Sequence, residues 1–212
     1  MPTPKELYNE KIGQVLVKNL KSRHFDAYYC ASKQDALEKA LSLIPEGSSV
    51  GWGGATSAVE IGLLDAIRSG NYQAYDREKA KDFAERSSIA TKCLSADTFI
   101  TGANAISLDG QMVNMDGVGN RVAAIIYGPK SVVVIAGVNK ICKDLDAAIQ
   151  RVRTVAAPTN QQRFMGETPC SVTGCCGDCK SVDSICAQMV TTRLCRPAGR
   201  IKFIIVGENL GF

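Results

Sequence analysis

SVVVIAG, Ser131 to Gly137, is an unbroken run of β-branched and small apolar residues. A strand with one wet face carries a polar residue at every second position, and after Ser131 this one carries none. Both of its faces must therefore be covered, which is the situation of a parallel strand with helices packed on either side. IKFIIVG, Ile201 to Gly207, supplies a last strand.

The rest of the chain alternates in the same sense. Tyr8, Ile12, Val15, Leu16 and Leu20 recur at helical spacing, so Lys5 to about Leu20 is an amphipathic helix. FDAYYCA (25–31) is a strand, and Ser32 is the N-cap of a helix carrying Ala36, Ala40 and Leu43 on one stripe. SSVGW is a short strand. TSAVEIGLLDAIRSG is expected to form one helix that Gly70 ends, followed by YQAY as a short strand and a charged helix from about Arg77 to Lys92. DTFITG and AISLDG carry strand residues, and Asp109-Gly110 turns the chain into QMVN as a hairpin. RVAAIIYG is a short helix or apolar segment, and Leu145, Ala148, Ile149 and Val152 mark another helix. Strands alternating with helices predict an α/β fold: a three-layer α/β/α sandwich on a mostly parallel, Rossmann-like sheet. No linker or repeat divides residues 1–212, so one domain is expected, with a Cys-rich segment at 156–200.

A chain of 212 residues buries a real core, and its formal charge of +4 is too mild to suggest nucleic acid by itself. Arg193, Arg196, Arg200 and Lys202 are the basic residues such a role would use. No apolar run reaches the ~20 residues of a membrane span, and MPTPKELYNEK is too polar for a secretory signal. A cytoplasmic location follows as an expectation, and there thiols stay reduced. The nine cysteines are an odd number, which fits a disulfide scaffold poorly.

VGWGGATSAVE places Gly51, Gly53 and Gly54 between a strand and a helix, with Thr56 and Ser57 at the helix start. Such glycines let backbone N–H groups approach an anion, although the loop has neither P-loop nor dinucleotide spacing. They also suit a tight turn with no ligand. Glu60 is either a solvated side chain or a carboxylate facing the pocket. Further on, ADTFITGANAISLDGQMVNMDGVGNR gathers Asn104, Asp109, Asn114 and Asp116 among glycines. Part of this is turn chemistry. Asn120-Arg121 near a helix start is a candidate for phosphate or carboxylate recognition.

These three stretches, GWGGATSAVEIG, the Asp/Asn/Gly segment and SVVVIAGVNKI, resemble the lactate-utilisation (LUD) domain family. That family sits within the superfamily of ribose-5-phosphate isomerases, glucosamine-6-phosphate deaminases and CoA transferases. The likeness runs from the first helix to the closing GENLGF. It implies a CoA-transferase-like fold whose glycine loop binds phosphate or CoA groups and whose TFITGANAISLDG strand lines the same cleft. Gly51, Gly53, Gly54, Thr56, Ser57, Gly102, Asn104, Asp109, Asn120 and Arg121 are then the expected ligand-binding residues. The CoA transferases use a glutamate nucleophile, but no residue here aligns with it. Asp109, Asp116 and Glu60 are the candidate catalytic carboxylates, and His24 is expected on the surface.

TPCSVTGCCGDCKSVDSIC concentrates the thiols. Cys170, Cys176, Cys179 and Cys186 form C-x5-C-x2-C-x6-C, with Cys175 as a possible substitute, and the central C-x2-C lets two thiolates from one turn bind one metal centre. A plain core role suits Cys30, Cys93 and Cys142. Three chemistries remain open for the quartet: a [4Fe–4S] cluster, structural zinc, and redox-active disulfides. Zinc knots usually pair two C-x2-C knuckles, and only one is present. The family's association with iron–sulfur partners in lactate oxidation points to the cluster. No flavin or nicotinamide fingerprint is found. The expected function is binding of a small anionic metabolite by an accessory or electron-transfer subunit in organic-acid utilisation, with iron–sulfur or flavin redox partner subunits. A homodimer is expected only because dimers are common in the superfamily. A zinc-containing binding or regulatory module and a sugar-phosphate isomerase are the alternatives.

Overall fold

The structure, a computed structural model, describes residues 1–212. The chain runs α1 (Pro4–Ser22), β1 (Asp26–Cys30), α2 (Lys33–Ser42), β2 (Ser49–Gly53), α3 (Thr56–Glu60), α4 (Leu63–Ser69) and β3 (Gln73–Tyr75). It continues through α5 (Phe83–Cys93), β4 (Thr98–Gly102), β5 (Ala105–Ser107), β6 (Met112–Asp116), α6 (Asn120–Ile126), β7 (Ser131–Gly137) and β8 (Ile141–Cys142). It closes with α7 (Leu145–Arg151), α8 (Ala157–Gln161), α9 (Pro169–Thr173), β9 (Gln188–Thr192) and β10 (Ile201–Val206). No helix is long and apolar enough to cross a membrane.

Six strands form one all-parallel sheet in the order β1-β10-β7-β4-β2-β3. The apolar run of β7 explains why it sits inside. Val132 and Val134 join Phe203 and Ile205 in a core with Leu16 and Leu20 of α1, Cys93 of α5 and Ile125 of α6. Val133 and Ile135 point the other way, with Ile204 and Val206, onto Ala36 and Ala40 of α2, Ala58 of α3 and Leu63 and Ile67 of α4. Each face of the sheet thus has its own helical layer, as the α/β/α expectation requires.

The hairpin expected around Asp109-Gly110 builds a second, four-stranded sheet in the order β8-β5-β6-β9, in which β6 pairs antiparallel with both neighbours. Its core of Ala105 and Val113 is covered by Ala148 of α7 and by Val152. Between α7 and α8 the helix widens: Val152–Ala156 is a π turn in which the Ala157 N–H reaches back to the Val152 carbonyl. Pro158 lies just beyond. A proline ring collides with the carbonyl four residues earlier and donates no hydrogen bond, and a wide turn relieves both.

The expected single helix over 56–70 is two helices. Gly62 adopts φ +78°, a left-handed conformation that breaks the hydrogen-bond ladder and redirects α4. The charged segment also begins later than its composition suggests. Residues 77–79 make a short 3-10 turn, and α5 starts where Asp82 accepts the Glu85 N–H at 2.8 Å. β9 was not expected at all. It lies inside the cysteine-rich segment and pairs with β6.

Chain order defines where a ligand crevice belongs. From β2 the chain moves outward to β3, whereas from β4 it moves the other way, to β7 and then β10. The adjacent strands β2 and β4 are therefore the topological switch point, and open α/β sheets bind ligands beyond the carboxyl ends of such strands.

Candidate functional site

Gly53, Gly54, Thr56 and Ser57 run from the end of β2 into α3, Gly102 and Asn104 lie at and just after the end of β4, and Arg121 packs against Gly53 and Gly54. A Cβ built on Gly54, whose φ is +57°, would stand 2.6 Å from Arg121 Cδ, so only glycine fits under this side chain. The guanidinium is buried and fully engaged. Nη1 donates to Asn114 Oδ1 at 2.9 Å, and Nη2 to Asn104 Oδ1 at 2.9 Å and to the Met115 carbonyl at 2.6 Å. Nε lies 3.7 Å from Asp116. Asn104, Asn114 and Arg121 are thus brought together, but as a lock between the hairpin and α6, with the arginine donors spent inside the protein.

Gly51 and Gly53 share one face of β2 because side chains alternate along a strand. A Cβ on Gly51 would meet Cys93 Sγ at 2.5 Å, and one on Gly53 would meet Phe99 at 3.2 Å. Gly51 serves close packing against α5. Gly102 donates its N–H to the Gly54 carbonyl at 3.1 Å, stitching the two loops together. Thr56 and Ser57 open α3, and Asn120 opens α6.

The candidate carboxylates part company. Asp109 lies at the hairpin turn against α1, paired with Arg23 Nη2 at 2.5 Å, at the far end of the β5–β6 hairpin from Arg121. Burial pushes its pKa up, but hydrogen bonds from Ser107 and Gln111 and the Arg23 charge prevail and hold it below the ordinary value. Asp116 accepts the Gly119 and Val122 N–H groups at 3.2 and 3.1 Å, capping the start of α6. Glu60 accepts the Gly211 N–H at 3.0 Å. His24 is exposed.

Lys140, which sequence reasoning passed over, is the unexpected member of the crevice. It follows β7, is 4% exposed, forms no ion pair, and donates to the Ala103 carbonyl at 2.9 Å. Burial, reinforced by the Arg151 and Arg121 charges and opposed by Glu60, brings its pKa down to about 7. Beside it the buried Ser57 Oγ has no hydrogen-bond partner. The signal available in the sequence was a lone lysine just past the carboxyl end of a buried parallel strand.

The cysteine quartet sits elsewhere, beyond the small sheet. Cys170, Cys176, Cys179 and Cys186 all line one cavity of about 240 Å³, together with Arg153, Pro158, Gln161, Met115 and Met189. Cys175 is exposed and does not line it. Burial raises the Cys186 pKa, Ser184 opposes this through a hydrogen bond, and the charges of Cys170, Cys176 and Cys179 raise it further, so the four sulfurs feel one another. No three of the chain's His, Cys, Asp and Glu side chains stand close enough to share one metal ion. Four thiolates on one zinc would lie about 3.8 Å apart, given Zn–S bonds near 2.3 Å in a tetrahedron. Gln161 Nε2 is buried on the cavity lining without an acceptor. Arg153 is the one cation there, held by Asp178 at 2.7 Å.

The other basic residues are mostly occupied. Arg200 donates to the Pro129, Ile125 and Ile126 carbonyls, and Lys202 to Ser131 Oγ and the Gly199 carbonyl. Arg193 and Arg196 are exposed.

A DUF162 family protein from Deinococcus radiodurans has a crystal structure similar to this one, with a TM-score of 0.54 at 9% identity over 93% of this chain and 97% of that chain. That likeness concerns the fold alone. eIF2B beta from Chaetomium thermophilum matches with a TM-score of 0.38 at 18% identity, over 54% of this chain and 44% of that one. Ribose 5-phosphate isomerase A from Methanocaldococcus jannaschii gives 0.34 at 21%, over 53% and 55%. The chain spans about half the length of these last two. No curated protein matches the chain. The LUD domain family matches residues 13–206, which is nearly the whole sequence. The chain belongs to the LUD domain family.

Proposed function

We propose that this LUD domain protein is an electron-transfer or accessory subunit in the oxidation of lactate or a related small organic acid, and that it carries an iron–sulfur centre of the [4Fe–4S] type. Cys170, Cys176, Cys179 and Cys186 would hold the centre. The observation that carries this reading is that these four thiols, separated by up to sixteen positions of sequence, line one cavity from which Cys175 is left out.

The residues present fit such a group. Pro169 packs on Gly177 so closely that a Cβ there would lie 2.8 Å from the proline ring, so glycine inside the C-x2-C turn permits this approach. Gln161 offers an unused N–H donor from the buried wall, and hydrogen bonds to sulfur are one of the protein's means of setting a cluster's potential. Arg153 supplies positive charge next to four thiolates. The centre, when bound, supplies one-electron redox chemistry. Cys176 and Cys186 are solvent-exposed, so a redox partner can approach from that side. The carboxyl ends of β2 and β4, at the switch point, are the place for the small anion.

Purification without oxygen, followed by iron, sulfide and zinc quantification, tests this. Roughly four iron and four sulfide per chain are expected, as for a [4Fe–4S] centre. Stoichiometric zinc without iron, or folded protein with no metal at all, would overturn it.

A further inference from the structure

The tail after β10 crosses the carboxyl ends of the parallel strands at the switch point. The Val138 N–H donates to the Glu208 carbonyl at 3.3 Å, the Leu210 N–H to Asn139 Oδ1 at 3.0 Å, and Arg151 Nη1 to the Phe212 carbonyl at 3.2 Å. Gly211 takes φ +57°, and its N–H is held by Glu60. What lies beneath Gly211 is unusual. A Cβ built there would be 3.0 Å from Ser57 Oγ and 3.1 Å from Lys140 Nζ. Gly211 therefore lies directly against a hydroxyl and an amine, and of the two the hydroxyl has no hydrogen-bond partner while the amine has only the Ala103 carbonyl.

We propose that Lys140 Nζ and Ser57 Oγ form a binding site for one small carboxylate, closed in this structure by the Glu208–Phe212 tail. The inference rests on the reading of the crevice as an anion site and names the residues that do the holding. Buried hydroxyls are nearly always hydrogen-bonded, and the Ser57 hydroxyl is not, so a missing partner is expected there. Lys140 makes no ion pair, and its charged neighbours are Arg151 on α7, Arg121 on α6 and Glu60 on α3. Arg121 already has Asp116 beside it, so the positive charge left over belongs to Lys140 and Arg151. A buried cation without a counter-ion is costly, and an anion relieves it. One ammonium and one hydroxyl match the two oxygens and single charge of a carboxylate. A dianionic phosphate would bring a second negative charge towards Glu60. The place agrees with the general rule for open α/β sheets.

Glycine at 211 is what lets the tail lie this close. Alanine there would crowd both donors, at 3.0 and 3.1 Å, and would also be strained at a positive φ. Gly211→Ala should therefore lift the tail and open the site.

Isothermal titration of the full chain with sodium L-lactate, sodium acetate and inorganic phosphate, in the wild type and in Lys140→Met, Ser57→Ala and Gly211→Ala, tests the proposal. Lactate and acetate should bind and phosphate should not. Lys140→Met should weaken carboxylate binding at least tenfold, Ser57→Ala several-fold, and Gly211→Ala should tighten it. Carboxylate binding should take up protons near pH 8, because the bound anion favours the charged amine. If Lys140→Met fails to fold, Ser57→Ala and the proton uptake carry the test. Wild-type affinity in Lys140→Met, or in Ser57→Ala with no proton uptake, would overturn this site and leave the small-acid reading standing. Preferential phosphate binding would overturn the carboxylate class. No binding of any of the three, in wild type and Gly211→Ala alike, would overturn both; the iron content of the same sample reports separately on the cysteine site.

Discussion

Arg121 and Asn114 form a buried pair, with Nη1 2.9 Å from an amide oxygen that also accepts the Asn104 N–H at 3.2 Å. One guanidinium thereby ties both arms of the hairpin, at its open end, to α6. Its removal takes the charged donor from two amide oxygens, which keep only the Asn104 and Met115 N–H groups, and from the Met115 carbonyl, and it leaves Asp116 without its cation. Arg121→Met should cost about 3–5 kcal/mol of stability, the range for breaking a buried charged pair. Arg121→Lys should not restore it, because an ammonium cannot span both asparagines in the plane of the fork. Urea unfolding curves measure this. A loss below ~1 kcal/mol, with the unfolding slope unchanged, would mean the lock is not structural.

Gly51 has a packing role that a double-mutant cycle can isolate. Gly51→Ala forces a methyl group against Cys93 Sγ and should cost about 1–3 kcal/mol by overpacking. In a Cys93→Ala background the sulfur is gone, and the same substitution should cost about 1 kcal/mol less. Strictly additive costs would show that Gly51 is required for another reason, such as a ligand passing over β2.

How much of this was legible beforehand depends on what each residue's chemistry reveals without neighbours. The central strands announced themselves because burial on both faces leaves no polar position in SVVVIAG. The four cysteines stand out as a group because C-x5-C-x2-C-x6-C is a local spacing that a sequence displays, and they line one cavity. Gly51 was read with Gly53 and Gly54 as one ligand loop, although a period of two already puts Gly51 and Gly53 on the same face of the strand, opposite Trp52. Arg121 was correctly placed at the head of a helix, but a sequence does not show whether five donors are spent on protein or left for a ligand. β9 escaped because QMVTT is short, and its β-branched Val190, Thr191 and Thr192 were overshadowed by the cysteines. Lys140 escaped because what sets it apart is burial without a partner, a tertiary property.

Five thiols crowd the segment, and the structure separates one of them. Cys175 is exposed and does not line the cavity that the other four line. Cys175→Ser should keep its iron after anaerobic reconstitution, whereas Cys170→Ser, Cys176→Ser, Cys179→Ser and Cys186→Ser should each lose most of it or hold a less stable centre. Iron-to-protein ratios and visible absorption distinguish the five variants. Iron lost from Cys175→Ser and retained in Cys176→Ser would exchange the roles of the adjacent pair.

Lys140 makes the stability of the ligand-free protein depend on pH in a direction opposite to that of an ion-paired lysine. Its folded-state pKa of about 7 lies below the ordinary lysine value of 10.5. Between these values the unfolded chain carries a proton that the folded chain has shed, so unfolding takes a proton up. Stability contributed through this residue therefore rises as pH increases from about 7 towards 10.5, and the penalty for a buried ammonium is complete below 7. Across that window the slope is at most about 1.4 kcal/mol per pH unit, a few kcal/mol in all. Other groups titrate there too, so the quantity to measure is the difference between wild type and Lys140→Met. That difference, from urea unfolding at pH 6.5, 8 and 9.5, should favour the variant most at pH 6.5 and shrink as pH rises. A difference that stays constant over the three values would show that Lys140 does not change its protonation on folding.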